Sequence, residues 1–275
     1  MNQAAGGKGI TGSTLKIIAI AAMLIDHIGA AVLERMMMAE GYLEAALSSS
    51  AVLNLWMDEH GMLFMADFCM RSIGRIAFPI FCFLLVEGFQ RTGNVKKYAL
   101  RLGLFSLISE VPFDLAFSGE LLEFKYQNVF FTLFLGLVVM MAVDWTGRQK
   151  LHPVVKAVLD LGAVLVGMAA ADLLHTDYYG FGILCIMALY FFRQNRGIQA
   201  AAGVVAFLAG SFLLRGGLSG VFGEMAAVAG FIPVYFYNGQ RGLKMKYVFY
   251  AFYPVHLLIL YGICFLLKIQ NIMIR

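Results

Sequence analysis

The chain has 275 residues, of which 61% are hydrophobic and only 14% are charged, and its mean hydropathy is +0.78. Ordinary soluble domains carry about 25% charged residues, so this composition excludes an ordinary soluble enzyme and predicts an integral membrane protein. The formal net charge of +4 is small and is explained by cations in the loops between apolar runs, so no nucleic-acid partner is expected.

Apolar runs separated by polar breaks predict an all-α fold, a polytopic membrane helical bundle of about nine spans, with eight to ten as the range. The spans are expected, in chain order, at residues 13–34, 72–91, 97–117, 128–145, 154–174, 178–193, 198–214, 218–238 and 246–268. Residues 1–275 are therefore predicted to form one transmembrane domain, whose lipid partner is the bilayer.

Residues 35–70 differ from the other apolar segments. Acidic side chains such as Glu44 and Asp58 interrupt the run, while Trp56 and its neighbours remain apolar. Such a mixture is typical of an amphipathic segment that lies at a membrane surface. We expect an insertion on the outer surface here.

The Lys and Arg residues set the expected orientation. They are concentrated in alternate connections, such as the one that holds Arg91, Lys96 and Lys97, whereas the opposite connections are acidic or neutral. Because cytoplasmic loops carry the excess of cations, the N-terminus is predicted to be cytoplasmic. The expected location is a cell membrane, with a multi-pass topology.

The first predicted span contains three ionisable residues, Lys16, Asp26 and His27. A charged residue near the middle of a membrane helix costs roughly 2.5–3.5 kcal/mol on insertion scales, and such residues usually face a polar interior and serve a function. Lys16 and His27 are eleven positions apart, about 16 Å along the axis and within about 20° of one face. The helix therefore carries a cation near one end and an imidazole near the other.

Other polar residues within predicted spans sort by depth. The outer half holds Arg71, Arg75, Glu110, Asp114, Gln127, Asn128 and His256 besides His27, and the inner half holds Lys16, Glu87, Arg91, Lys96, Lys97 and Arg101. Arg71 and Arg75 share one helix face, as do Glu110 and Asp114, so guanidinium groups and carboxylates can pair between helices. The arrangement predicts a reactive cluster outside and a basic cluster inside.

Five ordered motifs with polar anchors resemble the TraX family over nearly the whole chain. They are Leu15–Lys16 with Asp26–Gly29, Arg75–Phe81 with Glu87–Gly88, Ser109–Asp114, Gln127–Thr132 and Phe252–Leu257. The family is named for a plasmid conjugation protein that N-acetylates pilin. It looks related to the integral-membrane acyltransferases, whose first helix carries a basic residue, ten further residues and then a histidine, and Lys16 and His27 match that spacing.

The resemblance implies a membrane-embedded acetyltransferase. It would move an acetyl group from cytoplasmic acetyl-CoA to an amine or hydroxyl of an extracytoplasmic acceptor, either a pilin-like polypeptide N-terminus or an envelope glycan. His27 would act as general base, since the unperturbed pKa of imidazole is about 6.5. Arg75, Gln127 and Asn128 are candidate donors to the developing oxyanion.

The remaining site residues have expected supporting roles. Either Glu110 or Asp114 would orient the His27 ring, and Asp26, which points about 100° away from His27, would pair with Arg71 or Arg75. His256 is expected in the substrate-binding region or, alternatively, in the core. The phosphates of CoA would meet a set of inner cations, namely Lys16, Arg91, Lys96, Lys97 and Arg101.

Purely structural or topological roles stay open for several of these residues. The inner cations are needed for topology in any case, and buried ion pairs between helices are not themselves signs of catalysis. No His-Glu-x-x-His motif or close His pair is present, so no metal is expected. Two other functions are compatible with intramembrane charges: a proton-coupled transporter and a non-catalytic assembly factor for a surface appendage.

Overall fold

A computed structural model describes residues 9–244 and 246–272. Within these residues there are helices and turns but no strand, so the predicted all-α membrane fold is confirmed. Two isolated backbone bridges, between Ile10 and Tyr237 and between Gln127 and Thr176, are the extended pairings observed.

The chain begins with α1 (Gly12–Ile28), which continues through one π-helical turn (Gly29–Leu33) into α2 (Glu34–Ala39). The next helices are α3 (Tyr42–Ser48), α4 (Ser50–Gly74), α5 (Ala77–Arg91), α6 (Val95–Phe117), α7 (Val129–Arg148), α8 (Pro153–Leu173), α9 (Tyr179–Phe191) and α10 (Arg196–Leu214). The last helices are α11 (Leu218–Glu224), a 3₁₀ segment (Met225–Gly230), α12 (Phe231–Tyr235) and α13 (Lys246–Leu266).

Among the described residues, six helical stretches are long and apolar enough to cross a membrane, fewer than the nine spans predicted. Helix α6 is not one of them, because charged side chains such as Lys97, Arg101 and Asp114 interrupt its apolar surface. Helix α9 has 13 residues, about 20 Å, which is short of the roughly 30 Å hydrocarbon core. The residues from Tyr250 to Leu266 also form a shorter apolar helix.

The structure divides into two compact units. Unit 1 comprises Met1–Ala19, Ile76–Leu107 and Phe124–Met245, and unit 2 comprises Ile20–Arg75, Ile108–Glu123 and Lys246–Arg275.

Helix α9 forms the core of unit 1, where it packs against α5, α7, α8 and α10. Its side chains are buried on all sides, as expected for a helix that is apolar around its whole circumference. Small residues let the neighbours approach closely: a Cβ atom added at Gly136 of α7 would lie 2.5 Å from Ile186, and one added at Gly210 of α10 would lie 2.6 Å from Phe181.

In unit 2, the π-helical turn packs against α4 and α13. The segment 35–70 is helical, and Met37, Ala45 and Trp56 form a small apolar core within it. The Trp56 indole N–H donates a hydrogen bond of 2.7 Å to the carbonyl oxygen of Glu40, which ties α4 to the end of α2.

Helices α4 and α1 approach each other closely in unit 2. A Cβ atom added at Gly74 would lie 2.1 Å from the Cβ atom of Asp26 and 2.2 Å from its Oδ1 atom. A contact below 3.0 Å is not found between real atoms of this kind, so the two helices pack at this distance only because residue 74 has no side chain.

We predict that Gly74→Ala lowers the free energy of unfolding by about 1–3 kcal/mol, because the added methyl group pushes α4 away from α1. Thermal unfolding of the purified protein in detergent measures the effect. Gly61→Ala in the same helix is the matched control, since nothing lies within 4 Å of its added Cβ atom. Equal melting temperatures for the two variants would contradict the packing argument.

Candidate functional site

The candidate site in unit 2 begins at Asp26 and His27, near the C-terminal end of α1. No glycine or proline interrupts residues 13–28, so the apolar run continues as a regular helix up to this point. Successive residues of a helix point about 100° apart. Asp26 and His27 accordingly meet different neighbours.

The His27 ring pairs with His256 of α13. The Nδ1 atom of His27 lies 2.7 Å from the Nε2 atom of His256, which is hydrogen-bond distance, and the two ring planes are within 9° of parallel. Both side chains are buried, with 9% and 4% of their surface exposed. Two histidines that are 229 residues apart in sequence thus form one buried pair.

A second hydrogen bond fixes the direction of the first. The Nδ1 atom of His256 lies 2.7 Å from the carbonyl oxygen of Phe252, one turn earlier in α13. A carbonyl oxygen only accepts, so His256 carries its proton on Nδ1 and its Nε2 atom is the acceptor for His27. In the neutral pair, His27 is therefore protonated on Nδ1, and its Nε2 atom is the basic nitrogen.

Aromatic rings surround the histidine pair. Phe117 and Tyr253 meet the His27 ring edge-on, with centroids 5.3 Å and 5.8 Å away. Phe252 stacks on His256 with a centroid distance of 4.5 Å. These contacts hold both imidazole planes in place and exclude water from their faces.

Asp26, the neighbour of His27, belongs to a cluster of charged side chains. Its Oδ2 atom lies 2.7 Å from Nη1 of Arg71 in α4, and Nε of the same arginine lies 3.2 Å from Glu34 Oε1. Arg71 is therefore one of the two arginines that were expected to pair with Asp26, and it bridges two carboxylates. Asp67, one turn before Arg71, adds a carboxylate whose Oδ1 atom is buried near Gly29.

The residues predicted to orient His27 are placed differently. Asp114 of α6 is buried and accepts a 2.9 Å hydrogen bond from the backbone N–H of Glu123 through Oδ2, so it closes the turn after α6. Glu110 is also buried on α6, and Arg75 ends α4, where its N–H bonds to the Arg71 carbonyl. The partner observed at Nδ1 of His27 is His256, and the orienting role of Glu110 or Asp114 stays a prediction.

The candidate oxyanion donors Gln127 and Asn128 belong to unit 1. The Asn128 amide caps α7 by accepting from the N–H of Phe130 at 3.0 Å, and it donates to the carbonyl oxygen of Ser106 at 2.9 Å. The Gln127 backbone pairs with the turn around His175. These bonds give Asn128 a clear structural role, and the donor role stays a prediction for both residues.

Glu87 forms ion pairs with two basic side chains of unit 1. It accepts from Arg91 at 3.0 Å and from Arg196 at 3.3 Å, and the Arg196 guanidinium also lies 5.0 Å from the centroid of the Tyr237 ring. Glu87 and Arg91 are four residues apart on α5, so they share one helix face. Arg196 of α10 contacts the other oxygen of the buried Glu87 carboxylate, which gives that charge a second partner.

The other predicted coenzyme contacts are also in unit 1. Lys16 is half-buried on α1, whereas Lys96 and Lys97 are exposed in the first turn of α6. Arg101 lies one turn further, with its guanidinium 6.0 Å from the centroid of the Tyr98 ring. Their role with CoA stays a prediction.

Arg35 was not among the site residues predicted from the sequence. It is fully buried in unit 2, where its Nε atom donates to the Ile272 carbonyl at 3.0 Å and its Nη1 atom donates to the Ala31 carbonyl at 2.9 Å. Nη1 also contacts the carbonyl oxygen of Ala116. The signal in the sequence is a single cation directly after the first apolar run, at the start of the predicted amphipathic segment 35–70.

No group of three or more His, Cys, Asp or Glu side chains is placed to hold a metal ion within residues 9–244 and 246–272.

The family model for TraX protein matches residues 11–264. The chain belongs to the TraX family. A curated relative is a probable fimbrial assembly protein FimC of serogroup H1 from Dichelobacter nodosus, which is 29% identical over 234 residues and covers 76% of this chain and 91% of the relative. No solved structure matches significantly. All candidate site residues, from Lys16 to His256, lie within the range that the TraX model matches.

We predict that Asp26→Asn and Arg71→Gln each lower the free energy of unfolding by about 1–3 kcal/mol, because each leaves a charge of the cluster less well neutralised. The double variant should cost less than the sum, since the two residues are in direct contact. Denaturant unfolding in detergent, followed by tryptophan fluorescence, supplies the four values of the cycle. Strict additivity would show that the 2.7 Å contact is energetically unimportant.

Proposed function

We propose that this TraX-family membrane protein is a multi-pass acetyltransferase of the bacterial cytoplasmic membrane. It transfers an acetyl group from cytoplasmic acetyl-CoA to an amine or hydroxyl of an extracytoplasmic acceptor. The observation that carries this proposal is the pairing of His27 with His256, because the second bond, to the Phe252 carbonyl, leaves a basic nitrogen on His27.

In the proposed reaction, His27 Nε2 removes the proton of the acceptor amine or hydroxyl. The acceptor atom then attacks the thioester carbonyl of acetyl-CoA, and the carbon–sulfur bond breaks as the new amide or ester bond is retained. The CoA thiolate takes the proton from the imidazolium, so atoms and charges balance. General base catalysis of this kind contributes roughly 100- to 10,000-fold.

His256 would be a positioning residue for this step. Its Nε2 atom accepts from His27 Nδ1, so it keeps the reactive ring in one tautomer and stabilises the imidazolium that forms. The aromatic contacts of Phe117 and Tyr253 restrict the ring further. A base that is already oriented loses little freedom when the acceptor binds.

The charged residues have proposed roles around the histidines. Asp26 and Arg75, with Glu110, would balance charge near the reacting atoms, and Arg71 with Asp114 would help to bind the acceptor. The donors to the oxyanion would be Arg75, Gln127 or Asn128. The phosphates of CoA would be bound by the basic residues of unit 1, which are Lys16, Arg91, Lys96, Lys97 and Arg101.

The acceptor class is proposed from similarity. The TraX family takes its name from a pilin-acetylating protein, and the relative from Dichelobacter nodosus is named a probable fimbrial assembly protein. Both names favour an exported polypeptide of a surface appendage over an envelope glycan. The name of the relative also favours a second candidate, a non-catalytic assembly factor, for which the histidine pair would be structural.

We predict that His27→Gln lowers acetyl transfer by at least about 100-fold, because the general base is lost. His256→Leu should lower kcat by about ten-fold with little change in the KM for acetyl-CoA, because one hydrogen bond to the base is removed. Hydrolysis of radiolabelled acetyl-CoA by the protein in lipid nanodiscs measures both values. The exposed residue His152 provides the control: His152→Asn retains a helix cap and should leave the rate unchanged.

Binding of the donor is measured on the same samples by calorimetry. His27→Gln should bind acetyl-CoA as wild type does, which separates the loss of chemistry from a loss of folding. Donor binding without any dependence of turnover on His27 would reject the proposed base. Absence of donor binding in a well-folded sample would reject the transferase and favour the assembly factor.

A further inference from the structure

Unit 1 contains a concave site at the ends of two helices that are able to cross a membrane. Asp172, Tyr179, Leu214 and Arg215 line a cavity of about 370 Å³. Helix α8 ends at Leu173 and α10 at Leu214, so the cavity lies where both candidate spans terminate. Its volume falls within the range of sites that hold small molecules, about 300–1,000 Å³.

The cavity wall carries two opposite charges that do not neutralise each other. Within residues 9–244 and 246–272, no ion pair joins Asp172 to Arg215, although both line the same space. The Oδ1 atom of Asp172 accepts from the N–H of Gly180 at 2.8 Å, which leaves Oδ2 as an acceptor. Nη1 of Arg215 is 3.6 Å from Glu224, an ion-pair distance that leaves other guanidinium donors for a further anion.

The turn before α9 holds this wall in a strained conformation. His175, Tyr178 and Tyr179 all have positive φ angles, of 49°, 65° and 44°, which are uncommon for residues with bulky side chains. Tyr179 is thereby placed beneath the Arg215 guanidinium, which lies 4.8 Å from the ring centroid. Strain of this kind persists only where the surroundings enforce it, and it often marks a ligand site.

The residues beside the cavity are apolar and exposed. Leu173 and Leu174 end α8, and Phe212, Leu213 and Leu214 end α10. In a membrane protein, such a surface at the end of a span contacts acyl chains. A ligand of this site thus meets a carboxylate, a guanidinium and hydrocarbon together.

We propose that this cavity binds the headgroup of a zwitterionic phospholipid with a primary ammonium group, of the phosphatidylethanolamine class. The ammonium donates to Asp172 Oδ2, the phosphate accepts from Arg215, and the acyl chains lie along the exposed leucines of α8 and α10. The ammonium and the phosphate are opposite charges on a short linker, and they match the carboxylate and the guanidinium of the wall. A quaternary ammonium fits less well because it has no N–H to donate to the carboxylate.

The test is a titration of the delipidated, full-length protein in detergent with dioctanoyl phosphatidylethanolamine, followed by native mass spectrometry. Asp172→Asn keeps the acceptor for Gly180 but removes the charge, and Arg215→Gln removes the cation. Each should weaken binding by about ten-fold, as expected for the loss of a hydrogen bond to a charged group. Arg215→Lys should retain most of the binding, and Asp172→Asn alone tests for the loss of binding if Arg215→Gln does not fold.

Matched controls are present in α7, where Asp144 and Arg148 form an ion pair at another helix end. Asp144→Asn and Arg148→Gln should bind the lipid as wild type does. Dioctanoyl phosphatidylcholine and phosphatidylglycerol should bind more weakly than phosphatidylethanolamine. Equal affinity of wild type and Asp172→Asn, or a preference for either of the other lipids, would overturn the proposal.

Soluble glycerophosphoethanolamine separates a lipid from a free headgroup. It should compete only at far higher concentration than the lipid, because it cannot contact the apolar rim. Binding as tight as that of the lipid would show that the ligand is not a membrane component. None of these measurements depends on acetyl transfer, so they test the lipid site independently of the proposed enzyme activity.

Discussion

The hydrogen bond between His27 and His256 is the interaction on which the candidate chemistry depends. Hydrocarbon offers no water to satisfy a polar group, so a buried side chain in a membrane helix has to find its partner in the protein. His27 finds it on α13, and His256 finds its own in the Phe252 carbonyl. The series runs in one direction only, because its last acceptor is a carbonyl oxygen. That one-way order gives a definite tautomer to a residue that could otherwise have two.

The same requirement explains the charged groups around the pair. Arg71 bridges Asp26 and Glu34, and Arg35 is fully buried with donors directed at backbone carbonyl oxygens. In unit 1, Glu87 joins Arg91 and Arg196 in the same way. Each cluster connects helices that are distant in sequence. The polar residues that a sequence identifies as functional candidates therefore also hold the helices together, and only turnover measurements separate the two roles.

Sequence alone predicted the membrane fold class, the family and the polar residues of the first helix, because composition and local apolar runs carry those signals. It also predicted that Asp26 pairs with Arg71 or Arg75, and the pair with Arg71 is observed. It did not find the pairing of His27 with His256, since no local pattern joins residues 229 positions apart. Arg35 was missed for a related reason: its burial depends on contacts with Ala116 and Ile272, which lie far along the chain.

The π-helical turn after His27 has a consequence for the register of the helix. In a continuous α-helix, Asp26 and Glu34 would be eight residues and about 80° apart around the axis. A π turn absorbs one extra residue, so the separation becomes equivalent to seven residues, about 20°. Both carboxylates then face α4, where a single arginine reaches them. The turn thus acts as a one-residue insertion inside the helix: with the same sequence, a regular α-helical path through residues 29–33 would rotate Glu34 by about 100° around the axis, away from Arg71.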